Sequence, residues 1–329
     1  MQHRFGRTTL SQDQRETLHR AKRLEVVSLL YLLTGVVVVY LVMGSSQAMK
    51  AAWIEDLLSL IPPLAFLVAV HRARRPPSVS HPYGHHRAVG AAHLAAAFAL
   101  LAMGAFLVYD SGSGLLSGDH PPIGSVDLLG QTVWAGWLMV AAMVYTFVGP
   151  VLLGRLKMPL AEELHDKVLM ADAEMNKADW MTAGAAILGV LGIGLGLWWA
   201  DGAAAMVISL SILKDGWTQV SGATRDLLDG EARTFDDAEV HPVIDDLLTL
   251  TRHEAWIAEA GCRVRDEGHV FHAEVFVVPL GHASVEQCES LARAVRALDW
   301  KLEDVVVAPV TALPPGIRTK PRGLEPEGD

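Results

Sequence analysis

The residues Trp53-Ile54-Glu55-Asp56-Leu57-Leu58-Ser59 lie inside a run, Ala48 to Val70, that is otherwise long and apolar enough to cross a bilayer as a helix. Ionisable groups at such a depth are costly and mark a pathway or a binding site. Glu55 and Ser59, four residues apart, share one helix face, and Pro62-Pro63 removes amide donors just beyond them, which predicts a kink past that pair. A second polar stretch runs from Asp172 to Asp179, ahead of an uncharged run that begins at Trp180. Within it Asp172, Met175, Asn176 and Asp179 fall near one helical stripe. The blander alternatives are a solvated helix start for Asp172 to Lys177, its acids favoured by the helix dipole, and an interfacial placement for Glu55 and Asp56. Taken together, Glu55, Asp56, Ser59, Asn176 and Asp179 offer carboxylate, hydroxyl and amide oxygens, which are hard ligands suited to divalent cations. Cation binding displaces protons from carboxylates, so one such site could alternate between metal and H⁺ in an antiport cycle. With no intramembrane histidine beside Glu55 or Asp179, the set favours manganese or iron, although zinc and cobalt also accept carboxylates.

Histidines cluster elsewhere, in His81-Pro82-Tyr83-Gly84-His85-His86-Arg87. Three histidines in one Gly-Pro loop make His81 and His85 candidate ligands of a second metal. His93 lies inside an apolar run, where a hydrogen-bonded packing role is expected. The two cysteines, Cys262 and Cys288, form no CxxC pair, and Cys288 reads as a core residue. No HExxH, GxSxG or phosphate-cradling glycine loop is present, so the chain does not read as an enzyme and no resident cofactor is implied.

These candidates are carried by a chain of 329 residues, 51% hydrophobic and only 19% charged, which is too apolar for an ordinary soluble domain. Its formal charge of -10 lacks the basic excess that neutralises phosphates, so nucleic acid is not an expected partner; membrane lipid is. Six spans are predicted: Val26 to Met43, Ala48 to Val70, Val89 to Val108, Val133 to Leu153, Trp180 to Ala200, and Gly202 to about Leu213 with an amphipathic extension toward Leu228. The polar, Arg-containing segment before the first span does not look like a cleaved signal peptide. Basic residues concentrate in His71 to Arg87 and Gly154 to Lys177, whereas Asp110 to Gln131 and the Asp201-Gly202 turn hold no Lys or Arg. That asymmetry predicts a multi-pass protein with both ends in the cytoplasm. After the spans, His241 to Arg252 reads as a helix, Ile257 to Arg265 and Val270 to Val278 as strands, Ser284 to Leu298 as a helix and Val305 to Val310 as a strand. The predicted fold is thus an α-helical membrane protein of six transmembrane helices followed by a small cytoplasmic α+β (α-β-β-α-β) domain. Its boundaries are 1–23 for a cytoplasmic segment, 24–230 for the spans, 231–313 for the α+β domain, and 314–329 for a disordered tail rich in Pro, Gly and charge.

From about Lys22 to Thr311 the chain resembles the cation diffusion facilitator family of divalent-metal/proton antiporters. The resemblance rests on His81-Pro82-Tyr83-Gly84-His85, Trp199-Ala200-Asp201 before the sixth span, Leu227-Leu228-Asp229 after it, and the six-span plus α-β-β-α-β order. It implies a homodimer joined through metallochaperone-like tails, with zinc, manganese, iron, cobalt or cadmium as substrate bound between spans two and five. The family's ligand positions fall on Glu55 and Ser59, or with a one-residue shift on Asp56 and Leu60, and in span five on Met175 and Asp179. His81 and His85 match a second-metal position of some relatives. Cys262 and His272 resemble ligand places in the tail, whose last strand lacks the expected His and Asp. A transport-inactive metal-binding or regulatory protein of the same architecture is the alternative, because Leu60 and Met175 stand where ligands are expected.

Overall fold

A proline pair, an aspartate cap and a set of glycines fix how the helices of this chain are cut and packed. The computed structural model describes residues 10–42, 47–117, 125–128, 131–194, 198–268 and 270–321; the predicted tail beyond 321, the segment before residue 10 and Met43 lie outside them. The chain forms two compact units, one from Glu16–Val68 and Ala92–Ala223, the other from Ala69–Ala91 with the chain from Thr224 onward.

Among the described residues seven helices precede the tail: α1 (Gln12–Val42), α2 (Gln47–Leu58), α3 (Ile61–Ala73), α4 (Arg87–Ser117), α5 (Ala135–Leu164), α6 (Lys167–Gly194) and α7 (Trp198–Leu227). Between α4 and α5 a short antiparallel hairpin, β1 (Ser125–Leu128) and β2 (Gln131–Trp134), takes residues that hydropathy assigns to the start of the fourth span. The predicted second span is split. Pro62 and Pro63 have no N–H to give to the carbonyls of Leu58 and Ser59, so regular helix stops at Leu58 and resumes at Ile61. Along this broken rod Ile54, Leu57, Ile61, Leu64 and Val68 are exposed at three- and four-residue spacing, while Glu55, Ser59 and Phe66 are buried. An apolar exposed stripe opposite a buried polar face is what a helix bordering lipid requires.

Asp166 sets the start of α6. Its Oδ1 accepts the amides of Val168 and Leu169 at 3.0 and 3.1 Å, and the residue before it, His165, turns at φ 47°. The reversal is two residues long, so α5 and α6 run back along one another. Consequently α6 begins thirteen residues before Trp180 and carries Asp172, Asn176 and Asp179 into the bundle interior, where all three are buried. The solvated-start alternative is thereby overturned for Asp172 and Asn176. At α4 and α7 the backbones nearly touch: a Cβ on Gly104 would lie 2.6 Å from the Leu213 amide, and one on Gly216 would lie 2.6 Å from the Leu101 Cα. Trp199-Ala200-Asp201, expected at a turn, belongs to α7, and residues 195–197 between α6 and α7 lie outside the described ones.

In the tail the order is α8 (Val243–Arg252), β3 (Ile257–Asp266), β4 (Phe271–Pro279), α9 (Val285–Arg296), β5 (Leu302–Pro309), the α-β-β-α-β order that the sequence predicts. β4 pairs antiparallel with β3 and parallel with β5, the parallel step being bridged by α9. Ser284 caps α9 in a reciprocal box with Gln287. The core joins Leu247, Leu248, Cys262, Phe271, Val275 and Leu291. Cys288 is only half-buried and Val285 is exposed, so the buried stripe of α9 is shorter than expected and is carried by Leu291, Ala292 and Val295. Composition predicts disorder from Pro314, yet Arg318 forms a β-bridge with Cys262 and an ion pair with Glu231 at 2.6 Å, and Ile317 packs on Gly261.

Candidate metal site

Ser59, released from regular helix at the proline break, turns its hydroxyl toward α6. It donates to Asp179 Oδ1 at 2.6 Å and also lies 3.1 Å from the Glu55 carbonyl. Glu55 and Asp179 are each 8% exposed and close enough for their charges to interact; Asp56, half-buried, contributes a third charge at this level. One turn further along α6, Asn176 donates its amide to the Asp172 carbonyl at 2.7 Å, which leaves its side-chain oxygen as the free end. Asp179 Oδ2, Asn176 Oδ1 and Asp56 Oδ2 are buried with no hydrogen-bond partner. Buried polar atoms are ordinarily paired, so three unpaired oxygens on two neighbouring helices set this level apart from a packed apolar interior.

Glu55 with Ser59 occupies the buried face, whereas Asp56 with Leu60, the shifted alternative, is only half-buried. Met175, at the other expected ligand position, is fully buried among Leu100, Met103, Leu107 and Ile212 and serves as packing. No group of three or more His, Cys, Asp or Glu side chains gathers at metal-binding distance among the described residues. A cation at this level would therefore be held by no more than two carboxylates at once, completed by hydroxyl and amide oxygens.

Several polar groups escape a search for acids within apolar runs. Lys157 of α5 is paired with Asp172 and, at 3.3 Å, with Glu25 of α1, all three being at most 1% exposed at the side chain. Their signal in the sequence is weak, because each sits at the polar edge of a hydropathy window. His93 Nε2 lies 2.9 Å from Gln219 Oε1, the hydrogen-bonded packing role expected of it.

The loop histidines lie in the other unit. Gly84, at φ 80°, closes a turn with its amide on the His81 carbonyl, and the His81 and His85 rings stack at 4.4 Å. Face-to-face stacking does not converge two ring nitrogens on one point. Arg87, at the end of the same motif, is ion-paired with Asp229, which also meets Arg265 at 3.4 Å, so the histidine motif and Leu227-Leu228-Asp229 touch in space. In the tail, Cys262 pairs with Val275 and His272 with Arg265. Residues 272 and 275 project to opposite faces of β4, so Cys262 and His272 cannot share a metal. Burial pushes the Cys262 thiol up to about 12, which disfavours the thiolate a metal would need.

A helical bundle with apolar exposed stripes and acidic side chains buried inside it has the architecture of a membrane protein. Residues 24–228 match the family model described as the cation efflux transmembrane domain, and the chain belongs to that family, the cation diffusion facilitators. It is 27% identical over 185 residues to the manganese efflux system protein MneS of Bacillus subtilis, covering 56% of this chain and 60% of that protein. It is 28% identical over 196 residues to the uncharacterized transporter YdbO of the same organism, covering 59% and 63%. An uncharacterized transporter of Methanocaldococcus jannaschii is 25% identical over 170 residues, covering 52% and 56%. The matched region thus spans less than two thirds of each of these relatives. The chain is an integral membrane protein: among the described residues four stretches, Gln12–Val42, Trp53–Ala73, Arg87–Ser117 and Gly136–Leu164, are long and apolar enough to cross a bilayer.

Proposed function

We propose that this protein exports a divalent metal cation in exchange for protons, with Glu55, Ser59 and Asp179 holding the ion between α2 and α6 and Asp56 and Asn176 completing the set. The observation that carries this reading is the Ser59–Asp179 hydrogen bond across the two helices, flanked by the three orphaned oxygens. Both helices bear ligands, so a rocking motion that separates them opens the site and weakens it in the same step. Carboxylates that release a metal take up protons, and that exchange couples the two fluxes. The all-oxygen character of the set favours Mn²⁺, in keeping with the name of its relative MneS, over the softer cations that histidine or thiolate would attract. We place α6 and α7 across the membrane as the fifth and sixth spans, the chain ends in the cytoplasm, and two copies in a dimer joined through the tails. His81 and His85 remain candidates for a second, loop-borne metal that would need a ring flip and further ligands.

Met175 packed in the apolar core and Leu60 beside the break favour a second reading, a protein that binds metal without turnover. Purified protein in sealed vesicles separates the two. With an imposed pH gradient, Mn²⁺ uptake is expected to exceed that of Fe²⁺, Co²⁺, Ni²⁺, Zn²⁺ and Cd²⁺, and Asp179→Ala or Glu55→Ala should abolish it while the protein stays folded. Absence of gradient-driven flux for every cation of that panel leaves the binding protein.

A further inference from the structure

Two helical turns along α6 from Asp179, the bundle holds a second acidic pair that the transport site does not use. Asp172 of α6 and Glu25 of α1 face one another closely enough to interact, and the Lys157 ammonium from α5 lies against both. All three side chains are essentially inaccessible to solvent. Glu25 meets Lys157 as an ion pair without hydrogen-bond geometry, so both its oxygens lack a hydrogen-bond partner, as do Asp172 Oδ1 and the hydroxyl of Ser28, one turn from Glu25 and fully buried. Two carboxylates and a hydroxyl from two helices, with oxygens to spare, form a hard-oxygen donor set of the kind that takes a divalent cation. Here the positive charge is supplied by the chain itself.

We propose that Lys157 is a tethered cation that fills a latent divalent-cation site formed by Glu25, Ser28 and Asp172, and so confines exogenous metal to the Glu55–Asp179 level. A mobile ion entering this second level would have to displace an ammonium that cannot leave, and it would meet that charge in a medium of low dielectric. Lys157 thereby acts as a specificity residue, holding the bundle at one metal per chain. The inference builds on the proposed transport site, but the latent site has its own ligands and can be tested without it.

The experiment counts Mn²⁺ bound per chain by equilibrium dialysis of the purified full-length protein in detergent. Wild type is expected to bind one ion that Asp179→Asn removes. Lys157→Met should bind one more than wild type, Lys157→Arg no more than wild type, and adding Glu25→Gln to Lys157→Met should remove the extra ion. In the Lys157→Met background Asp179→Asn should leave that extra ion in place. If Asp179→Asn changes nothing in wild type, the transport-site reading fails while the Lys157→Met and Glu25→Gln comparison still decides this one. A folded Lys157→Met protein that binds no more Mn²⁺ than wild type overturns the inference. Where Lys157→Met does not fold, Lys157→Gln, which keeps a donor for both carboxylates, replaces it and is read in the same way.

Discussion

Ser59 is the side chain through which the α2 side of the site reaches the α6 side. In Ser59→Ala, Asp179 loses its hydroxyl donor at Oδ1 while its Oδ2 already has none, and stranding a buried acceptor costs about 1–3 kcal/mol. If the hydroxyl also faces the cation, the KM for Mn²⁺ should rise about tenfold, the equivalent of ~1.4 kcal/mol, with the maximal rate less affected. An unchanged KM in vesicle assays would place Ser59 outside the site. The shared buried face of Glu55 and Ser59 was legible in the sequence because residues four apart fall on one side of a helix and a carboxylate is too costly to leave facing lipid. The spacing of Asn176 put it on the same stripe as Asp172 and Asp179, and the structure adds that its amide is spent on the Asp172 carbonyl. The cysteines give a separate check. Cys262, in the core with its thiol pushed up to about 12, holds on the order of 0.01% thiolate at pH 8, whereas Cys288 is half-buried and its thiol is raised less. Raising pH through 8 should therefore speed maleimide labelling at Cys288 alone, giving one modified thiol per native chain and two after denaturation, counted by mass spectrometry.

At the scale of the helix, the break between α2 and α3 places Ser59 where regular geometry ends. Pro62 and Pro63 are tolerated in the first turn of α3, but they leave the carbonyls of Leu58 and Ser59 without helical amide donors directly beside the acidic pair. Replacing both by alanine in Pro62→Ala/Pro63→Ala restores amides that bond the carbonyls of Leu58 and Ser59 and draws the two segments into one rod. The expected outcome is a protein that melts at a higher temperature and exports at least tenfold more slowly; a faster or equal flux would show that the break plays no part in the cycle. Sequence reading anticipated this kink from the missing amides alone. It did not place the start of α6, because a hydropathy window discards Asp172, Glu174, Lys177 and Asp179 as solvent-facing. In the fold Asp172 is neutralised by Lys157, and Lys177 meets Glu174 at 2.9 Å and Asp215 at 3.5 Å, so the charge is local and compensated. The β1–β2 hairpin was missed for the converse reason: Val133 and Trp134 are apolar enough to be counted into the following span.

For the whole molecule the same compensation bears on the proposal that α6 and α7 cross the membrane as the fifth and sixth spans. A charged residue at mid-membrane on an unpartnered helix costs about 2.5–3.5 kcal/mol, and α6 carries enough of them to fall below any threshold set on hydropathy alone. Partners lower that cost: α6 packs along α5 through Lys157 and Asp172, and α7 meets α4 backbone to backbone at Gly104 and Gly216. A helix that buries its charges against neighbours and its glycines against another backbone can cross as a member of a bundle where its own hydropathy would not suffice. The basic loops 71–87 and 154–177 make both ends inside the expected direction. A single cysteine placed between α6 and α7, in intact cells with Cys262 and Cys288 replaced, tests this directly. Labelling by a membrane-impermeant maleimide added outside, together with fluorescence from a C-terminal reporter that folds only in the cytoplasm, is expected from six crossings. A cysteine there that reacts only after the cells are opened would return the chain to four crossings, leave α6 without a path through the bilayer, and remove Asp179 from any site that both sides of the membrane can reach.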